Sequence, residues 1–195
     1  MSIEDEFLSE VMVTKIKPTK RKKGINSKQK GNSKERELAY ILNKRFEGYT
    51  FARSVSSGAY TGGMNQSRAE ALTEEQKLVF SGDIRVPVNF KFTIEHKAYA
   101  EASFWDLFNP GSDLFKWYEQ SSTDAKNVGK EPLLIVKYNN HKRIAFIKMD
   151  YLIKHKAPPP VFVHENRGCY WLEDILCWEN DFFFYFFRSF FIKIF

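Results

Sequence analysis

Along residues 90–97 apolar and polar side chains alternate, so that Phe90, Phe92, Ile94 and His96 share one face and Lys91, Thr93, Glu95 and Lys97 the other. The pattern predicts a strand. It pairs with a shorter one near Asp83 through a turn at Pro87-Val88-Asn89, because proline removes a ladder donor and asparagine favours turns. From Asn32 the spacing becomes helical: Leu38, Ile41, Leu42 and Phe46 form an apolar stripe, with Gly48 as a stop. Residues 49–57 read as a strand ending at Gly58. The 58–80 segment, opening with Gly58, Gly62 and Gly63, reads either as a mobile flap or as an inert insertion.

Beyond the hairpin, residues 101–109 predict a short helix stopped by Asn109-Pro110-Gly111. A second helix runs from Ser112, an N-cap residue, to about Asn127, with Leu114, Phe115, Trp117 and Tyr118 on its buried side and Gly129 at its end. Pro132–Tyr138 reads as a buried strand, turned by Asn139-Asn140 into a strand over Arg143–Lys148. Pro158-Pro159-Pro160 marks a rigid connection to a peripheral unit, a small hairpin (Val161–Val163, Cys169–Leu172) and a helix from Glu173. The order predicts an α/β fold, a central mixed sheet flanked by helices.

Composition changes this picture little, and charge changes it more. A chain of 195 residues with 43% apolar and 28% charged residues is that of a single soluble domain with a proper core. Nine of its 30 basic residues lie between Lys15 and Lys34, where no acid occurs; residues 1–12 carry four acids, and the remainder is nearly balanced. The net charge of +6 therefore sits on one arm, and Lys20, Arg21, Lys22 and Lys23 are its densest run. Such an arm is expected to be disordered alone and to attract a polyanion, or to act as a solubilising tail. Three segments follow: a basic arm (1–30), a core (31–150) and an extension (151–195) ending in an aromatic tail. That tail, from Phe182, is too short and too charged to span a membrane; it could dock on the core, form a dimer contact or be without function. Cys169 and Cys177 lack metal-site spacing and read as buried reduced thiols. With an acidic N-terminus unlike a signal peptide, they point to the cytoplasm of a prokaryotic or virus-infected cell.

Folding the 81–97 hairpin about its turn sets Asp83 opposite Glu95, with Cβ atoms about 5 Å apart, and brings Lys97 out on the same face. Two acids and a lysine at one point have the composition of a site for metal-assisted phosphodiester hydrolysis. The plainer reading of Glu95 and Lys97 is a surface ion pair. Glu35 falls on the packed side of the first helix, where Asn32-x-x-Glu35 also matches a capping box.

Taken in order, Gly31-Asn-Ser-Lys-Glu35-Arg36-Glu37-Leu38, Arg53…Ser57-Gly58, Gly82-Asp83-Ile84, Glu95-His96-Lys97 and Glu119-Gln120 resemble the archaeal-type Holliday junction resolvases of the PD-(D/E)xK nuclease superfamily, over roughly Lys30 to Lys148. The resemblance implies a restriction-endonuclease-like core. It implies metal-ligand carboxylates at Glu35, Asp83 and Glu95, a catalytic lysine at Lys97, Ser57 near the scissile phosphate, and Gln120 packed beside the site. Glu37 becomes a helix-surface residue, and Arg36 and Arg53 become phosphate contacts. Mg²⁺ is the implied cofactor, with Mn²⁺ able to substitute, and the backbone of Ile94 or beside Lys97 would supply a carbonyl ligand. DNA is the implied partner, branched DNA in particular, cut by a homodimer. Two departures stand out: Gly82 replaces the expected proline, and the 58–80 segment is longer than the usual loop. His96, in the middle of Glu-x-Lys, points away from the metal as a half-buried core residue. Two alternatives stay open, a restriction- or repair-type nuclease of the same superfamily acting on duplex or flap DNA, and a non-catalytic nucleic-acid-binding module.

Overall fold

The computed structural model describes residues 27–54, 72–73, 76–77, 79, 81–99, 109 and 111–185. Residues 1–26 of the basic arm, with Lys20, Arg21, Lys22 and Lys23, as well as Ser57, nearly all of the 58–80 segment, the 101–108 stretch and the tail from Phe186 lie outside the described residues. One seven-stranded mixed sheet organises the rest, in the order β1 (Ala52–Arg53), β2 (Ile84–Arg85), β3 (Phe92–Tyr99), β4 (Glu131–Tyr138), β5 (Arg143–Lys148), β7 (Arg167–Trp171) and β6 (Phe162–His164). All neighbouring pairs are antiparallel except β3 and β4, which run parallel and are joined through helix α2 (Asp113–Asn127). Other helices among the described residues include α1 (Ser27–Arg45), α3 (Met149–Lys154), α4 (Leu172–Ile175) and α5 (Asn180–Phe183). Among the described residues no helix is long and apolar enough to cross a membrane.

The central strands read as continuous apolar runs because both sheet faces are covered. On β4, Leu133 and Ile135 join the larger core under α1, with Leu38, Leu42, Phe46, Phe92 and Ile94. Leu134 and Val136 face the other way, into a smaller cluster under α2 with Leu114, Tyr118, Phe146 and Cys169. The Asn139-Asn140 hairpin forms as expected, with Asn140 at φ +60°. Ser112 stands at the N-cap of α2, although its side chain makes no capping bond.

Several boundaries differ from expectation. Helix α1 begins at Ser27, so Asn32 lies inside it and cannot cap it. The capping-box reading of Glu35 is thereby overturned, since an N-cap residue must have non-helical backbone. The segment after Asp150 is not peripheral. Strand β7 pairs with β5 along five residues, and Tyr170, Leu172, Ile175 and Leu176 are core. Cys169 is buried as expected, but Cys177 is exposed.

The aromatic run docks on the core. Phe182, Phe183 and Phe184 are buried, and Phe183 packs edge-on against Phe46 at 5.1 Å. The same segment straps the entry to β3: the Lys91 N–H donates to the Phe183 carbonyl (2.7 Å), the Tyr185 N–H donates to Asn89 (2.8 Å), and Phe90 bridges Phe184. Phe183→Ala should lower the unfolding free energy by about 3–5 kcal/mol through the cavity it leaves. A denaturant midpoint equal to that of the unaltered protein would show that the strap is not part of the core.

Candidate active site

Strand β3 presents different chemistry to its two sides. Towards α1 it shows Phe92, Ile94 and His96; towards α2 it shows Thr93, Glu95, Lys97 and Tyr99. On β4 and β5 the α2-facing positions are apolar, yet on β3 they are polar while still covered, Thr93 and Glu95 each at 2% exposure. Core packing gives no reason for a carboxylate there, because burying one unpaired costs several kcal/mol.

The neighbouring strand supplies its counterpart. Ile84 pairs with Ile94, and just before that pair Asp83 comes close enough to Glu95 to act on its carboxyl. The Asp83 N–H donates to the Ile94 carbonyl (2.8 Å), while its Oδ2 accepts from the His96 N–H (2.9 Å), clamping the acid to β3 where β2 ends. Gly82 makes this approach feasible. Its φ is +69°, and a Cβ there would stand 2.6 Å from the Ile94 oxygen. Proline, fixed near φ −65°, cannot take that conformation, which accounts for the departure from the expected residue.

The Lys97 ammonium lies 2.6 Å from Glu95 Oε1 and makes a longer contact, 3.4 Å, to Gln120 Oε1 on α2. Within α1, Glu35 accepts from Arg53 Nε (2.6 Å), and Arg53 Nη2 also donates to Asn32 Oδ1 (2.8 Å). Asp124, one helical turn beyond Gln120, interacts electrostatically with Asp83 and Lys97. Sequence reasoning missed it; the i, i+4 step from Gln120 was the available signal.

Burial, then the charge of Asp83, raise the Glu95 carboxyl to about 7 against the opposing pull of Lys97. Burial and Asp83 raise Glu35 and Asp124 as well. For Lys97, burial works downward, but attraction to Glu95 and a hydrogen bond to it outweigh burial, so the group is raised and remains an ammonium. His96 is fully rather than half buried, and burial together with Arg143 lowers it to about 4, leaving it neutral.

Glu35, Asp83 and Glu95 are thus electrostatic neighbours. They are not gathered into a ligand group, and among the described residues no three His, Cys, Asp or Glu side chains are set to hold a metal ion. The reason is local: Glu35 is turned to Arg53, and Glu95 to Lys97. The Ile94 carbonyl proposed as a ligand already accepts a ladder bond. Arg36 is exposed on α1, and Glu37 pairs with Lys34 at 2.7 Å and with the buried Arg143.

The family described as "Phage putative PDDEXK endonuclease" matches residues 26–166. The chain belongs to this family. The match runs from α1 through β6 and spans Asp83 and Glu95-His96-Lys97. No curated protein and no solved structure matches the chain.

Because the folded-state pKa of Glu95 is raised from 4.5 to about 7, the metal-free fold holds its proton more tightly than the unfolded chain does. Stability from this group is full below pH 4.5 and is lost as pH rises through about 7. Glu95→Gln should therefore raise the metal-free melting temperature at pH 8, by about 2–4 °C per kcal/mol relieved, with no gain at pH 4.5. A melting temperature at pH 8 no higher than that of the parent would contradict the assigned burial of charge.

Proposed function

We propose that this protein is a metal-dependent endonuclease that hydrolyses phosphodiester bonds in DNA, selecting its substrate by shape as a junction resolvase does. One observation carries the reading: a nearly inaccessible Glu95 is paired with the Lys97 ammonium, and Asp83, just before β2, acts electrostatically on both. Four acids, Glu35, Asp83, Glu95 and Asp124, are electrostatic neighbours around Lys97, with Arg53 on Glu35, a concentration of negative charge that suits a divalent ion. The donors are all oxygen, which fits Mg²⁺ and admits Mn²⁺. Asp83 and Glu95 would hold the ion, with Glu35 beside them. When bound, it would polarise the phosphate and acidify a water.

The protein's own groups do the remainder. Lys97, kept charged by Glu95, pairs with the scissile phosphate and offsets the charge that develops on it, rather than acting as a base. Gln120 limits where that ammonium can point. Arg53, Arg36 and the basic arm contact backbone phosphates, which set position without reading bases. By the resemblance, Ser57 would act beside the scissile phosphate. Cutting two opposed strands of a branched substrate calls for a symmetric homodimer acting in the cytoplasm of an infected cell.

Synthetic four-way junction, flap and linear duplex DNA, each with Mg²⁺ and with EDTA, test this. Cleavage should require the metal and be strongest on the junction. Lys97→Ala should keep binding while cutting roughly 10²–10³-fold more slowly. Cleavage in EDTA, or by Lys97→Ala at the parent rate, would contradict the mechanism. Binding without cleavage of any substrate would mark a non-catalytic module, and preference for duplex or flap a restriction- or repair-type enzyme.

A further inference from the structure

Two rows of side chains run past each other at the site. Along β3 come Glu95, Lys97 and Tyr99, every second residue; along α2 come Asp124, Gln120 and Trp117, at helical spacing. Lys97 meets Gln120 at 3.4 Å, and one step further Tyr99 meets Trp117, ring centroids 4.6 Å apart and planes inclined at 32°. Trp117 is partly buried against the cluster under α2, whereas Tyr99 is 42% exposed. Closing the cluster therefore accounts for Trp117 and leaves the outer ring unexplained. Tyr99 and Lys97 are about 7 Å apart along the strand.

We propose that Tyr99, backed by Trp117, is a stacking platform for an unpaired base of the strand whose phosphate lies at Lys97. The inference rests on the nuclease reading above and deepens it by naming the substrate feature recognised. Bases within a duplex are already stacked and offer no free face, while an unpaired base offers one to any aromatic ring within reach. The platform favours DNA in which pairing is interrupted beside the cut, whatever its sequence, since every base has such a face. Trp117 holds the tyrosine ring in place from below.

Binding of the full chain, measured by fluorescence anisotropy in EDTA so that nothing is cut, tests the platform on linear duplex and on the same duplex carrying unpaired bases. The native protein should prefer the second, and Tyr99→Ala should reduce that preference about tenfold, while Tyr99→Phe keeps it. A 2-aminopurine at the first unpaired position should lose fluorescence on binding the native protein, a readout that needs no variant. Absence of a preference in the native protein, an unchanged preference in Tyr99→Ala, or an unquenched probe at every unpaired position would overturn the platform. Those results leave the nuclease reading standing if Lys97→Ala still fails to cut; cleavage by Lys97→Ala at the parent rate removes that reading instead.

Discussion

A carboxylate almost wholly removed from water, that of Glu95, lies 2.6 Å from the Lys97 ammonium and within electrostatic reach of Asp83. Every other feature of the site answers to this arrangement. Burial, and then the charge of Asp83, push the Glu95 carboxyl up to about 7 and raise Glu35 and Asp124 too. The cost is borne by the fold, because burying unbalanced charge is unfavourable wherever it occurs. A polar strip under α2 is thus the mark of a place shaped by function.

The surrounding structure is what keeps the strip in place. Gly82 allows the backbone before Asp83 to lie against Ile94, and the Asp83 side chain then fastens itself to the His96 amide. Phe90 and Phe92, at the entry to β3, are gripped by Phe183 and Phe184 from the far end of the described chain. That grip lies beyond the 26–166 family match. The hairpin that carries the acids is thereby tied into the aromatic core on one side while presenting charge on the other.

Strict alternation made β3 legible before any coordinates, since a period of two allows only one assignment of faces. The turn after Arg85 signalled that Asp83 comes near Glu95, and Asn139-Asn140 announced the β4–β5 hairpin through residues that tolerate positive φ. The start of α1 was not legible. Its first turns, Ser27 to Gly31, carry no apolar stripe, so the capping signal at Asn32 looked like a beginning. Nor did local pattern say that β7 would complete the sheet beside β5, because pairing between distant strands leaves no periodic trace. Asp124 was overlooked for a related reason: on its own helix it reads as an ordinary exposed acid, and only β3 gives it company.

Membership of the PDDEXK family and the geometry around Glu95 converge on phosphodiester chemistry through different routes, one from sequence likeness and one from electrostatics. The most direct test of the account is anomalous scattering from crystals soaked in Mn²⁺. The account predicts a peak between the Asp83 and Glu95 carboxylates, with Glu95 drawn off Lys97. No peak there at saturating Mn²⁺, with the Glu95–Lys97 pair intact, would contradict it.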